Sequence, residues 1–209
     1  LHNSGRRQRQ MCIRDSYLMN TKKPPTDNLW FRRAIASSLD RSTLSTHIYK
    51  NTGVDSKGLI PQNIPLFLEP DSLIDFDLDA ARRYLKRSGL EPNSVNIDLS
   101  YVSTYEAYRL TAFMLLDNLK KIGVRLDLKP GLWSTNWDKA KNLDTAPNII
   151  SMAWWPTISS PSDWFLSLYG TQEPPLFNLS YYSNSVLDSL IKKAWEFETV
   201  DAALSLIHI

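Results

Sequence analysis

Two adjacent tryptophans, Trp154 and Trp155, end a predicted strand and are followed by Pro156 and by the hydroxyl-bearing Thr157 and Ser160. An indole face beside hydroxyl groups supplies an apolar platform with a few orienting hydrogen bonds, which is typical of a small-molecule pocket. Adjacent strand residues point to opposite faces, so we expect one indole in the core and the other beyond the sheet. The predicted ligand-binding residues are therefore Trp154, Trp155, Thr157 and Ser160.

Residues that could make or break bonds lack a catalytic pattern. The sequence has no phosphate-binding glycine loop, dinucleotide fingerprint, HExxH or GxSxG segment. Acidic pairs such as Asp77 and Asp79 are explained by helix capping. His47 is expected to be solvated or structural, and a hydrolase or transferase would require turnover that depends on it. We predict no catalytic residue, no metal site and no cofactor, and hence a protein that is not an enzyme.

The ends of the chain carry an unusual signal at the level of DNA. Residues 11–16 can be encoded ATGTGTATAAGAGACAGN, and the reverse complement of that string encodes residues 204–209. The string resembles the transposase end sequence used to prepare sequencing libraries. We therefore expect adapter-derived tails at 1–16 and 204–209, and treat residues 17–203 as the protein segment, truncated from a longer one. A genuine basic N-terminal arm is the alternative.

Composition narrows the class of protein once these tails are set aside. The whole chain has a formal net charge of +2, and leaving out the tails, with their four arginines and one aspartate, brings it to about −1. Without a basic stripe we expect no nucleic-acid partner. The single cysteine, Cys12, also lies in the tail, so a disulfide or cysteine metal site is excluded from 17–203. No apolar run approaches the length that spans a bilayer.

The elements that must position the tryptophan pair follow from periodicity. Alternating residues at 95–101 and 124–128 predict two strands, and 105–122 between them predicts a helix ended by Gly123. A strand, a helix and a strand in this order form a βαβ unit with parallel strands. Residues 148–154 predict a further strand that delivers the tryptophans to its carboxyl end, where open sheets bind ligands. The fold class is therefore α/β.

Helix-capping residues, and the glycines and prolines that interrupt helices, predict the secondary structure of the remaining segments. Asp77 and Gly89 bound the clearest short helix, as N-cap and left-handed stop. A long surface loop is predicted at 53–70. The other predicted elements are a strand at 17–20 and helices at 27–39, 41–49, 136–142, from about 162, and 185–198.

Several stretches in order resemble the extracytoplasmic solute-binding proteins of family 5, the dipeptide, oligopeptide and nickel receptors of ABC importers. The matching residues are Tyr17 to Asn20, Lys23 to Pro25, Phe31 to Ala36, Leu39 to Arg41, Asp79 to Ala81, Tyr84, Leu85, Gly89, Leu119, Ile122 to Val124, Leu126, Trp154, Pro161, Phe165, Tyr181 to Asn184, Leu187 and Asp188. The resemblance implies one lobe of a type II periplasmic-binding-protein clamp, with helices flanking a mixed or parallel sheet. It assigns 17–22 to a hinge strand and 23–203 to the second lobe, leaving the hinge incomplete.

The resemblance also implies the function. Such a receptor captures a peptide-like or other small solute outside the cytoplasmic membrane and delivers it to ABC permease subunits, with a missing N-terminal lobe closing over the ligand. A lipid anchor through the missing N-terminus is left open. Family members often have a glycine where this chain has Ala153 and an aspartate where it has Thr157, which puts a ligand with a free amine in doubt. The alternative is an interaction or signalling ectodomain with the same lobe.

Overall fold

The computed structural model describes residues 14–64, 67, 69–70, 73–155 and 161–207, with side chains as far as 196. Four strands lie within these ranges: β1 (Arg14–Met19), β2 (Val95–Val102), β3 (Val124–Gly131) and β4 (Ile149–Trp154). The helices are α1 (Leu29–Ser37), α2 (Arg41–Thr43) with a π turn (Leu44–Ile48), α3 (Leu78–Arg87), α4 (Glu106–Lys121), α5 (Trp133–Ala140), α6 (Pro161–Leu168) and α7 (Ser185–Ile207). No described helix is long and apolar enough to cross a membrane.

The strands form one mixed sheet in the order β1-β4-β2-β3. The predicted βαβ unit is confirmed, because β2 and β3 run parallel with Val95 opposite Val124. β4 also runs parallel to β2, whereas β1 is antiparallel to β4 with Tyr17 opposite Ser151. The carboxyl ends of β2, β3 and β4 therefore meet at the same edge of the sheet.

Local sequence explains where helices begin and end. Asp77 caps α3 as predicted: its carboxylate accepts hydrogen bonds from the backbone N–H groups of Asp79 and Ala80 at 2.8 and 2.9 Å. The hydrogen bond from Ala80 is the main reason that the pKa of Asp77 is lowered. Gly89 and Gly123, with φ of 76° and 81°, follow α3 and α4 in the left-handed conformation that stops a helix.

Two hydrophobic cores cover the two faces of the sheet. The first packs α1, α3 and α4 against β2 and β3, and its members include Phe31, Leu85, Leu99, Leu115 and Val124. The second lies on the other face and is rich in aromatic side chains, with Ile150, Met152, Trp154, Trp164 and Leu179 among its members. Because strand side chains alternate, β4 contributes Ile149 to the first core and Trp154 to the second.

Several boundaries differ from the sequence prediction. α7 runs to Ile207 rather than ending near residue 198, and β3 runs to Gly131 rather than ending at residue 128. α5 begins at Trp133 rather than at residue 136. The side chain of Asn136 does not mark the start of the helix; it is buried, and its Nδ2 donates a hydrogen bond to the carbonyl of Tyr101 at 2.9 Å. β1 begins at Arg14, inside the predicted tail, since strand pairing uses backbone groups that any residue supplies. The adapter origin of 1–16 and 204–209 stays a prediction.

Candidate functional site

An exposed aromatic edge lines the carboxyl ends of the parallel strands. We define it by Tyr105 after β2, Leu132 and Trp133 after β3, and Trp155 after β4. Their side chains are 61%, 61%, 40% and 53% exposed, respectively, although each is large and apolar. Exposed apolar residues grouped in this way mark a surface that binds something. The edge is therefore where the fold offers a contact surface for a ligand.

The tryptophan pair splits between core and surface, as strand alternation predicts. Trp154 is 8% exposed and belongs to the second core, whereas Trp155 is 53% exposed. Of the two residues of the pair, Trp155 therefore presents its indole face to solvent and Trp154 does not. Trp154 lies beneath the edge, where it can support a contact surface but does not form one.

The two predicted hydroxyl residues, Thr157 and Ser160, lie outside the described residues. Their role in ligand binding stays a prediction, as does that of Trp154 and Trp155. Ala153, which takes the place of the family's glycine, is partly exposed and lies opposite Asp15 in the sheet.

A chain of touching rings joins the buried tryptophan to the exposed edge. The ring centroids of Trp154 and Phe177 are 4.3 Å apart, and those of Phe177 and Trp137 are 5.4 Å apart. Trp137 in turn lies 5.1 Å from Trp133. These separations suit attractive tilted and edge-to-face contacts. We call Trp154, Phe177, Trp137 and Trp133 the aromatic chain; it forms the floor behind the edge.

Hydroxyl groups line the opposite face of the sheet near the same edge. Tyr108 Oη donates a hydrogen bond to Asp15 Oδ1 at 2.6 Å. Burial is the main cause that raises the pKa of Tyr17, Tyr49 and Tyr108 above the ordinary range. These phenols therefore stay protonated near neutral pH. Among them, the neutral Tyr108 phenol serves as a hydrogen-bond donor to Asp15.

The described residues contain no arrangement that suggests metal chemistry. Within them, no group of three or more His, Cys, Asp or Glu side chains could hold a metal ion. His47 lies exposed on the π turn after α2. Its position agrees with the expectation of a solvated side chain.

Two exposed residues of the edge, Trp133 and Tyr105, were not among the ligand-binding residues predicted from the sequence. Both follow the carboxyl ends of strands in the βαβ unit, where parallel pairing brings them to the edge that carries Trp155. The parallel pairing of β2 with β3 was predicted, so the positions after those two strands were an available signal. No signal in the sequence indicated the aromatic chain, because Phe177 contacts Trp154 only through tertiary packing.

Residues 13–175 match the family model of the bacterial extracellular solute-binding proteins, family 5 Middle, and the chain belongs to this family. The dipeptide-binding protein of Escherichia coli is 25% identical over 154 residues, 72% of this chain and 28% of that protein. Heme-binding protein A of Haemophilus influenzae is 24% identical over 180 residues, 84% of this chain and 32% of that protein.

A solved structure shows the same fold. The ABC transporter substrate-binding protein CtaP from Listeria monocytogenes superimposes with a TM-score of 0.79 at 24% identity, over 88% of this chain and 37% of that chain. The chain is thus an α/β unit with the fold of family 5 binding proteins. It spans 28% of the E. coli protein and 32% of the H. influenzae protein.

Proposed function

We propose that this chain is most of the second lobe of the substrate-binding component of an ABC importer. The receptor captures a peptide-like or other small solute outside the cytoplasmic membrane and delivers it to the permease. Residues 17–22 lie on the hinge side, and an N-terminal lobe closes over the ligand by hinge motion. The observation that carries the proposal is the exposed aromatic edge at the carboxyl ends of three parallel strands. Family membership and the printed names of the relatives support it.

The residues of the site take different roles in this proposal. Trp155 and Trp133 contact the ligand through their exposed indoles, which bury a large apolar area at low entropic cost. Trp154 supports them from the core. Thr157 and Ser160 supply orienting hydrogen bonds. The role proposed for the site is binding, because an apolar wall beside hydroxyl groups is typical of a small-molecule pocket.

The identity of residue 157 bears on the ligand. A threonine hydroxyl cannot give an ammonium group the charge-assisted hydrogen bond that an aspartate gives. The proposed ligand is therefore one that does not depend on a free amine, such as a blocked peptide or another amphipathic solute.

The test uses the full-length receptor and a matched pair of probes, the dipeptide Met-Leu and its N-acetylated amide. We expect titration calorimetry to show tighter binding of the blocked form. Trp155→Ala should weaken that binding about tenfold, because a central aromatic contact is lost. Trp30→Ala on α1 is the control and should leave affinity unchanged. Unchanged affinity in the double variant Trp154→Ala, Trp155→Ala with an intact fold would rule out this site.

The same exposed edge also favours a second candidate, an interaction or signalling ectodomain that docks a partner protein. Tryptophan and tyrosine are enriched at protein interfaces. The two candidates differ in what surrounds the chain. Sequencing the source DNA beyond both ends decides between them: an upstream lobe with a secretory signal and nearby permease genes supports the importer, and the absence of such a lobe supports the docking module.

A further inference from the structure

A single amide side chain organises the loop between α6 and α7. Gln172 is partly buried, and its Oε1 accepts hydrogen bonds from three consecutive backbone N–H groups, those of Leu176, Phe177 and Asn178, at 2.9, 2.9 and 3.0 Å. Its Nε2 donates to the carbonyls of Leu166 and Ser167 at 3.2 and 3.0 Å. One side chain thus ties the backbone around Phe177 to the end of α6.

The side chain of Asn178 holds the far side of this loop. Asn178 Nδ2 donates to the carbonyls of Gly170 and Tyr182, both at 2.8 Å. Ser180 Oγ donates to Asn178 Oδ1 at 2.6 Å. Asn178 therefore closes the loop, whereas Gln172 sets where the backbone of Phe177 lies within it.

Phe177 is the ring that connects the two ends of the aromatic chain. It contacts Trp154 at 4.3 Å and Trp137 at 5.4 Å, and Trp137 contacts the exposed Trp133. Close packing transmits a displacement of one ring to its neighbours because the interior has few voids. The backbone position of Phe177 thus bears on the orientation of the aromatic edge.

We infer that Gln172 is a positioning residue for the proposed binding site, holding Phe177 as the support of Trp154, Trp137 and Trp133. The inference rests on the proposed function. A contact surface that is already ordered before binding costs less entropy when the ligand arrives. Gln172 thus acts on affinity through Phe177, without touching the ligand.

The first measurement needs no ligand. The protein is labelled with 5-fluorotryptophan, and the fluorine resonance of Trp154 is assigned by its loss in Trp154→Phe. Phe177→Leu removes the neighbouring ring and gives the reference shift. We expect Gln172→Ala to move the Trp154 resonance in the same direction, whereas Gln62→Ala, at an exposed glutamine, leaves it in place. An unmoved resonance in folded Gln172→Ala would overturn the inference.

The second measurement is a double-variant cycle of affinity in the full-length receptor, with whichever of Met-Leu and its N-acetylated amide binds more tightly. Gln172→Ala should weaken binding about fivefold, and the same change on a Phe177→Leu background should have no further effect. Additive losses would show that Gln172 acts by another route. A wild-type receptor that binds neither probe would count against the proposed function. In that case the fluorine shift of Trp154 alone tests whether Gln172 positions Phe177.

Loss of the whole hydrogen-bond set could prevent folding of Gln172→Ala. Gln172→Glu is the second variant. Its carboxylate keeps an acceptor for the three N–H groups, while it loses the donor and places a negative charge near the carbonyls of Leu166 and Ser167. We expect it to keep the wild-type Trp154 resonance. A shift equal to that of Phe177→Leu would show that the acceptor does not hold the ring and would contradict the inference.

Discussion

Asn148 joins three segments of the polypeptide at the amino end of β4, through its backbone and its side chain. Its backbone N–H donates to Asp98 Oδ1 at 2.8 Å, and its own Oδ1 accepts from the backbone N–H of Asp98 at 3.3 Å. Nδ2 donates to the carbonyl of Pro24 at 3.1 Å and to Thr26 Oγ1 at 3.2 Å. This one residue links the proline segment after β1 to β2 and β4.

Replacing Asn148 by alanine should lower the free energy of unfolding by about 2 to 3 kcal/mol, because buried polar groups lose their partners. Urea denaturation followed by circular dichroism measures the change. Asn96→Ala is the control, since Asn96 is exposed and makes one surface hydrogen bond, to Asp127; its cost should stay below about 0.5 kcal/mol. Equal costs for the two variants would show that the Asn148 network contributes little.

At the scale of elements, two glycines end helices in the same conformation but meet different surroundings. A Cβ atom added at Gly89 would have no heavy atom within 4 Å. One added at Gly123 would lie 2.7 Å from Pro92 Cβ and 3.2 Å from the backbone nitrogen of Asn93. The end of α4 therefore packs against the turn before β2, whereas the end of α3 is open.

This pair separates backbone strain from packing. Gly89→Ala should cost about 1 kcal/mol, from the left-handed conformation alone. Gly123→Ala should cost about 3 kcal/mol, since the added methyl group also forces the turn at Pro92 to shift. Chemical denaturation of both variants, with matched m values, gives the difference. A smaller cost at Gly123 than at Gly89 would contradict the close packing of this turn.

At the scale of the whole molecule, buried phenols link stability to alkaline pH. Tyr108 on α4 belongs to the first core and Tyr17 on β1 packs against it, and burial raises the pKa of each above its ordinary value. In the unfolded chain these groups titrate near pH 10. Above that pH the folded state holds protons that the unfolded state has lost, so the stabilising contribution is full below about pH 10 and falls as pH rises.

We expect the free energy of unfolding to fall above about pH 10, by up to about 1.4 kcal/mol per pH unit for each such tyrosine. Denaturation curves between pH 8 and pH 11 measure the slope. Tyr17→Phe should reduce it, whereas the control Phe113→Leu should leave it unchanged, because that exposed ring carries no ionisable group. The same slope in Tyr17→Phe and wild type would mean that Tyr17 contributes nothing to it.

Local patterns in the sequence were enough to predict the class of the fold and most of its helices and strands. Alternation at 95–101 and 124–128, with a helical stripe between them, predicted the parallel β2 and β3 that the structure shows. Capping chemistry predicted both ends of α3, because Asp77 and Gly89 satisfy backbone groups within the same segment. The opposite orientations of Trp154 and Trp155 likewise follow from the period of a strand.

Tertiary structure decided what lies beside each predicted residue. The side chain of Asn136 bonds to the carbonyl of Tyr101, which is 35 residues away in sequence, so no local pattern could show that Asn136 lies within α5 rather than at its start. Only packing showed that Trp154 is the buried member of the pair and that Phe177 supports it. Sequence periodicity assigns side chains to faces, since it depends on bonds between near neighbours. The contacts across those faces arise when the two cores close around the sheet, and no local pattern encodes them.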